Sequence, residues 1–421
     1  MFETFKNAWR IDDLRKKIIY TLLMLLVYRV GSFIPVPGID SNFIRKLVEG
    51  NTLLGLLDII SGGAFANFTI FAMGITPYIN ASIIMQLLTV AIPRLEQLAK
   101  EGQEGQKKIA QYTRYATVIL AFIQAIGITY GLAGEALQNK NFVGYIIVAL
   151  TLTAGTAFLM WLGEQITDKG IGNGISLLIF TSIISRLPVA VVSLWQLAFV
   201  AKTMSPWSLP IVVVFAVLMI AAVIFVDSGE RRIPVQYAKR VVGRKVYGGQ
   251  STHIPLKVNS AGVLPIIFAV SILSLPQIIA QFFPAGNAFR SWVDQQFHQG
   301  TALYGVLYAL FIIFFTFFYT QITFNPIEIA NNLRQYGGFV QGIRPGKPTA
   351  EYLARISNRI TLVGSLFLVV VAIIPIAASA AANMRMYFGG TAILIVVGVA
   401  LETVKQLEAQ MLMRHYRGFL K

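Results

Sequence analysis

Few residues in this 421-residue chain have the type and spacing that chemistry needs. There is no cysteine, which removes disulfides, thiolate metal sites and cysteine nucleophiles. His253, His298 and His415 are scattered through predicted loops without metal-ligand spacing and read as solvated surface residues. Gly170, Gly172 and Gly174 form a G-x-G-x-G run. A dinucleotide loop needs different spacing and a preceding strand, so these glycines suit a tight turn between helices. No Ser-His-Asp set or carboxylate pair can be assembled, and neither an enzyme, a cofactor nor a metal is expected. What recurs is apolar. Ile75 and Ile79, and again Ile175 and Ile179, stand four apart and share a helix face. Alone, such pairs are ordinary packing. Asp58 is a lone carboxylate within LLGLLDIISGG; burying it unpaired is costly, so it is expected to face water.

The elements that must position these residues are membrane spans. The chain is 56% hydrophobic and 13% charged, with mean hydropathy +0.66, whereas soluble domains carry about 25% charged residues. Ten spans can be drawn, at 18–34, 69–90, 114–133, 144–163, 174–190, 209–227, 260–282, 302–323, 358–380 and 388–406. The first ends in GSFIPVPG rather than a small-residue cleavage site and reads as a retained span. All but eight of the 35 Lys and Arg residues lie in the N-terminus, alternate loops and the tail. The exceptions are Arg29, Arg45, Lys46, Lys140, Arg186, Lys202, Arg290 and Arg385. By the positive-inside rule both termini are cytoplasmic, and the net charge of +16 reflects orientation and docking rather than nucleic-acid binding.

Ten spans with both ends on one side divide into two inverted halves of five, although no sequence repeat is visible. The implied divisions are residues 1–190, an external hinge at 191–208 containing Trp195 and Trp207, 209–406, and a tail at 407–421. The span centres are almost free of charge. Arg186 sits near a span end and is expected to snorkel to the interface. Ion-coupled transport usually needs intramembrane Asp, Glu or His. That weighs against a secondary transporter for a small solute, the second reading, and a lipid-handling or insertase protein ranks third.

Leu53 to Phe65 is too short to cross a bilayer, whereas Thr69 to Leu88 is long enough. Gly62, Gly63 and Asn67 favour a break between them. The short piece fits a re-entrant half-helix beside a cavity and equally an amphipathic helix on the outer surface. The loops 228–259 and 324–359 are basic; within them, 231–259 suggests a protruding hairpin, and 337–360 is a second such loop. Lipid contact would supply about 1 kcal/mol per cation. Neither loop patterns as an amphipathic helix, and their Pro and Gly residues favour docking of a soluble partner. The N-terminal FETFKNAWRIDDLRKK suits a helix at the interface, anchored by lipid.

FAMGITPYINASIIMQLLTV resembles the second transmembrane helix of the SecY family, the channel subunits of the Sec protein-translocation machinery. GLLDIISGGAFANF then takes the place of the family's plug, and GEQITDKGIGNGIS (163–176) is similar to its signature. The resemblance covers essentially the whole chain. It implies an all-α polytopic fold, a protein-conducting pore and a plug formed by Leu53, Leu56, Leu57, Asp58, Ile59, Ile60, Gly62, Gly63, Phe65 and Asn67. Ile75, Ile79, Ile175 and Ile179, with Ile267 in NSAGVLPIIFAV and Ile395 in FGGTAILIV, fall where the family has its isoleucine ring. Branched aliphatics there would exclude ions by dewetting. Asn80, Gln86 and Asn259 match polar positions at a lateral gate between the second and seventh spans, where interhelical amide bonds are worth about 0.6–2 kcal/mol. Tyr237, Lys239, Arg240, Arg244, Lys245 and, in GIRPG, Arg344 would contact the ribosome or the SecA motor. SecE, SecG, a signal-bearing preprotein and anionic lipids complete the implied partners, in a bacterial inner membrane.

Overall fold

The computed structural model describes residues 2–50, 58, 61–131, 136–137, 141–200, 208–237, 240–242, 245–247, 251–280, 282–283, 286–297, 301–381 and 390–418. Helices dominate, as they must where lipid offers the backbone no hydrogen-bond partner. In chain order they are α1 (Phe2–Trp9), α2 (Asp12–Gly31), α3 (Ser41–Gly50), α4 (Thr76–Ala91), α5 (Pro93–Lys100), α6 (Gln103–Gly131), α7 (Phe142–Lys169) and α8 (Gly174–Trp195). There follow α9 (Ser208–Ser228), α10 (Leu264–Ala280), α11 (Ala288–Gln296), α12 (Ala302–Thr323), α13 (Pro326–Gln335), α14 (Lys347–Ala381) and α15 (Gly390–Gly418). Each of the ten expected spans contains one helix. Five of the described helices are long and apolar enough to cross a membrane unaided, and α4 with α5, bent by 100° at their junction, would make a sixth if the pair is one span.

The boundaries differ from expectation for identifiable reasons. α4 starts at Thr76, not at 69, because Gly74 turns the chain at φ 57° and Pro77 fills the first turn, where its missing N–H is harmless. α6, α7, α14 and α15 overrun their apolar stretches into polar sequence without a breaker to stop them. The segment from 407 is therefore the last turns of α15 and not a separate tail. Likewise α8 passes through Pro188 to Trp195 and leads into a π-helical stretch, Gln196–Val200. Trp195 packs on Phe199 with ring centroids 4.3 Å apart; Trp207 lies outside the described residues.

Two small sheets are added to the helices. β1 (Glu230–Tyr237) runs antiparallel to β4 (Ser251–Lys257) on one side and to β5 (Gly338–Val340) on the other, while β2 (Arg240–Val242) pairs with β3 (Lys245–Tyr247). The hairpin expected over 231–259 is present. The second basic loop joins it through β5 and is largely ordered, because α13 and the start of α14 lie within it. Along β1, Ile233 and Val235 face inward and Arg232, Pro234 and Gln236 face out, while Arg231 is exposed near the strand's start. The inward pair packs with Leu256, Leu333, Val340 and Leu353. His253 thus lies exposed on β4 rather than in a loop, and His415 falls within α15; His298 lies outside the described residues.

The helices close around one large apolar core, with α4 against α10 and α8 against α15 joining helices from early and late in the chain. A second apolar cluster joins α3, the 64–73 segment, α6 and α7. A third joins the chain ends: Ala8 and Leu14 pack with Ile171 and Leu407, and Lys17 Nζ donates to Gln410 Oε1 at 3.3 Å. The N-terminal segment therefore has a protein surface to pack on, and lipid anchoring is not its sole restraint.

Candidate functional site

The turn between α7 and α8 sets the position of the fifth-span isoleucines. Asn173 Oδ1 caps α8 by accepting from Ser176 N at 3.2 Å, and Thr167 Oγ1 accepts from Gly174 N at 2.9 Å. Gly172 adopts φ 85°. Gly174 lies so close to α7 that a Cβ would stand 2.0 Å from the Gly163 carbonyl oxygen. A Cβ on Gly163 would in turn stand 2.7 Å from Ile175 Cδ1. This close approach feeds Ile175 and Ile179 into the central core. Ile75 and Ile79 enter it from the start of α4, Ile267 from α10 and Ile395 from α15. All six belong to one apolar cluster: Ile75, Ile79, Ile179 and Ile267 are buried, and Ile175 and Ile395 pack against it half-buried.

On the chain just before α4, residues 61–75 run as successive turns and not as a half-helix. Gly62 and Gly63 take φ of 67° and 95°, and Phe68 takes 42°, values that interrupt a helix. Asp58 does not face water. Its residue is 7% exposed, its Oδ2 pairs with the Arg186 guanidinium, and its Oδ1 accepts from Ala66 N at 2.7 Å. Arg186 correspondingly turns inward to the carboxylate instead of snorkelling. A charge-assisted bond of this kind contributes about 1.5–3 kcal/mol, and an unpaired buried carboxylate is costly, so the pair explains how both ions are accommodated. Tyr28 Oη contacts the Ser61 carbonyl at 3.3 Å and Ser182 Oγ at 2.5 Å. Arg29 donates to the Gly62 carbonyl at 2.9 Å and sits 4.8 Å over the Phe33 ring. Phe65 is buried and Asn67 exposed, its Nδ2 donating to the Gly63 carbonyl at 3.2 Å. Leu53, Leu56, Leu57, Ile59 and Ile60 lie outside the described residues.

Tyr28, Arg29, Ser182 and Ser185 were not anticipated as partners of this segment. A signal existed: Arg29 and Arg186 are cations stranded away from the basic loops, and Asp58 is the carboxylate available to answer them.

α4 and α10 contact one another, as a seam between the second and seventh spans requires. Asn80 is buried with no partner for its Nδ2, and Asn259 has a buried Oδ1 with none either. Gln86 is half-buried. Among the described residues none of the three bonds to another, so the seam holds polar groups that are close to α4 or α10 without being joined across it.

The other predicted residues that the structure describes fall on or beside the two sheets. Tyr237 pairs with Gly338 at the β1–β5 junction. Arg344 is exposed, its carbonyl held by Thr349 Oγ1 at 2.8 Å. Arg240 and Lys245 fall on the β2–β3 pair, and Lys239 and Arg244 lie outside the described residues.

Helices from early and late in the chain meeting on a common isoleucine-rich core, with a short non-spanning segment packed beside it, make an all-α polytopic membrane protein. The family model for SecY matches residues 69–404. The chain is 49% identical to the protein translocase subunit SecY of Streptomyces galbus over 440 residues, covering 100% of both chains. It is 49% identical to that of Halalkalibacterium halodurans over 432 residues, again covering 100% of both. Among solved structures it is similar to a protein-conducting channel (TM-score 0.62, 17% identity, covering 94% of this chain and 92% of that one). It is similar also to a SecY channel whose plug domain is described as stabilising the closed state and maintaining a membrane seal (TM-score 0.60, 16% identity, 94% and 92% covered). Sec61 of a canine ribosome–channel complex from the endoplasmic reticulum is a further likeness (TM-score 0.58, 16% identity, 94% and 92% covered). The chain belongs to the SecY family. It is a protein-conducting membrane channel and not an enzyme.

Proposed function

We propose that Ile75, Ile79, Ile175, Ile179, Ile267 and Ile395 form the constriction through which unfolded polypeptides pass. The observation that carries this reading is their common cluster, drawn from the four helices at the α4–α10 and α8–α15 contacts between the halves. Aliphatic side chains offer a moving chain no hydrogen-bond partner and shed water when the pore is empty. Residues 53–67 are the plug, a role like that named for the plug domain of the similar SecY channel. Hydrophobic segments leave sideways between α4 and α10, where the unpartnered amides of Asn80 and Asn259, with Gln86 nearby on α4, keep the seam weak.

The chain has two inverted halves, residues 1–190 and 209–406, with both termini in the cytoplasm of a bacterium and the spans in its inner membrane. The β4–β1–β5 sheet is then the cytoplasmic docking surface. Tyr237, Lys239, Arg240, Arg244, Lys245 and Arg344 would meet SecA or the ribosome there, the latter in keeping with the canine Sec61 complex. SecE and SecG are the membrane partners, and the basic loops also contact anionic lipid. The test is reconstitution with SecE and a motor, followed by protection of a precursor protein inside vesicles. Entry that needs both the motor and a signal sequence is expected; vesicles that admit no precursor under these conditions would overturn the reading.

A further inference from the structure

α10 is short for its place. Its 17 residues make about 26 Å of helix, whereas the hydrocarbon of a bilayer is about 30 Å thick. Its start follows β4 through the 258–263 turn, so its other end lies away from the sheet, and there it leads into α11. The side chains of α11 fall on three faces at about 100° per residue. Val293 and Phe297 are buried in the main core. Ser291, Asp294 and Gln295 are polar and exposed. Between these faces Phe289 and Trp292 are exposed, Trp292 to 50%. The helix is fixed at both ends. Asn287 Oδ1 accepts from Phe289 N at 2.9 Å, and Arg290 donates to the Phe283 carbonyl at 3.0 Å. Gln277 of α10 donates to the Phe297 carbonyl, and Thr301, just before α12, donates to the Gln296 carbonyl at 2.5 Å.

Two of these faces have their partners, core and water; the aromatic one needs an apolar partner. Phe283 stacks edge-on against Phe289 with ring centroids 5.3 Å apart, and Trp292 stands likewise on Phe297 at 5.6 Å. The exposed rings are continuous with the apolar surface of the spans, since Ile279 near the end of α10 and Leu303 and Val306 at the start of α12 are also exposed. We propose that α11 is an interfacial anchor. It lies at the headgroup–acyl boundary of the leaflet away from the sheet, with Phe283, Phe289 and Trp292 in lipid, and it supplies the length that α10 lacks. Aromatic rings are favoured at that depth, and a span too short for its bilayer is accommodated by the residues that flank it. Phe282 is used differently. A Cβ on Gly127 of α6 would stand 2.7 Å from its ring, so Phe282 ties the end of α10 to another helix rather than to lipid. The depth of α10 then follows bilayer thickness through α11.

The experiment uses the full chain with its membrane partners in phospholipid vesicles. Because the chain has no cysteine, a nitroxide can be placed at one site at a time, at Phe289→Cys, Trp292→Cys, Ser291→Cys or Gln295→Cys. The first two labels should collide with oxygen, which concentrates in lipid, at a depth just inside the headgroups; the last two should collide with a water-soluble nickel chelate. Labels at 289 and 292 that meet nickel as readily as those at 291 and 295, or that meet neither probe because a protein covers them, would overturn the anchor. A depth at mid-chain would overturn it too. A measurement without labels guards against disturbance of α11: lipid brominated near the headgroup should quench the parent more than Trp292→Phe, and equal quenching counts against the proposal. Finally, Phe283→Ser, Phe289→Ser and Trp292→Ser are combined and precursor entry is followed as the acyl chains are lengthened. Entry should fall several-fold more steeply than in the parent; parallel curves would overturn the claim that α11 makes up span length. This last arm alone rests on the channel reading, and a parent that admits no precursor at any chain length would count against that reading while the labelling still decides the anchor.

Discussion

Tyr237 and Gly338 face one another across the β1–β5 junction, and a Cβ placed on Gly338 would stand 2.9 Å from the tyrosine ring. This contact fuses the two basic loops into one sheet. That sheet is continuous, through its inward side chains, with α13 and the first turns of α14. A load applied to this sheet would therefore reach a membrane-spanning helix rather than be lost in a slack loop.

Gly338→Val should break that junction. A branched side chain cannot fit between Tyr237 and Leu333, whose Cδ2 would stand 3.2 Å from the new Cβ. Overpacking of this sort costs about 1–3 kcal/mol, enough to release β5 but not to unfold the spans. Membrane insertion should be normal and motor-driven precursor entry reduced, as read by protease protection in vesicles.

Arg344→Glu should give a similar functional loss by a different route. The side chain is exposed and its backbone is held independently by Thr349, so reversing the charge leaves the fold intact. Binding of SecA or ribosomes to vesicles should weaken, and more so at low salt, where surface charge acts over a longer range. Unchanged binding would remove Arg344 from the docking surface.

Ile79→Gly together with Ile179→Gly should make the channel leak small ions. Both side chains are buried in the shared core, and their removal opens space that water can enter. Single-channel recordings should show open events without any precursor; silent bilayers would argue against a constriction at these positions.

A cross-link between cysteines at Gln86 and Asn259 should block export of substrates bearing a signal sequence. α4 and α10 touch, Gln86 lies on α4 and Asn259 in the turn before α10, so the linker tests whether that seam must part. Continued export would refute a gate at that seam.

Gly174→Ala should be poorly tolerated. Its Cβ would meet a backbone carbonyl oxygen at 2.0 Å, and backbone cannot rotate away as a side chain can. The clash would push α7 from α8 and disturb Ile175. A lower melting temperature in detergent is expected, and a parent-like value would show that the turn can relax.

The polytopic helical character and the basic hairpin were legible in sequence because both follow from local composition and alternation. What was not legible depended on pairs far apart in the chain. Asp58 looked like a residue for water only because its partner lies 128 positions later. β5 is too short for a strand pattern and is defined by its register with β1. The overrun of α6, α14 and α15 was missed because hydropathy marks where lipid begins, not where a helix stops. The six isoleucines are a mixed case: their spacing offered only ordinary packing, and it took the meeting of four helices to bring them together.

The contact between the two ends of the chain has a consequence for biogenesis. Lys17 and Gln410 are 393 positions apart, so the partner of the first helices is synthesised long after them. Until then Leu14 has no Leu407 to cover it. The first helices therefore wait, with one apolar flank uncovered, for a stretch of chain made hundreds of residues later.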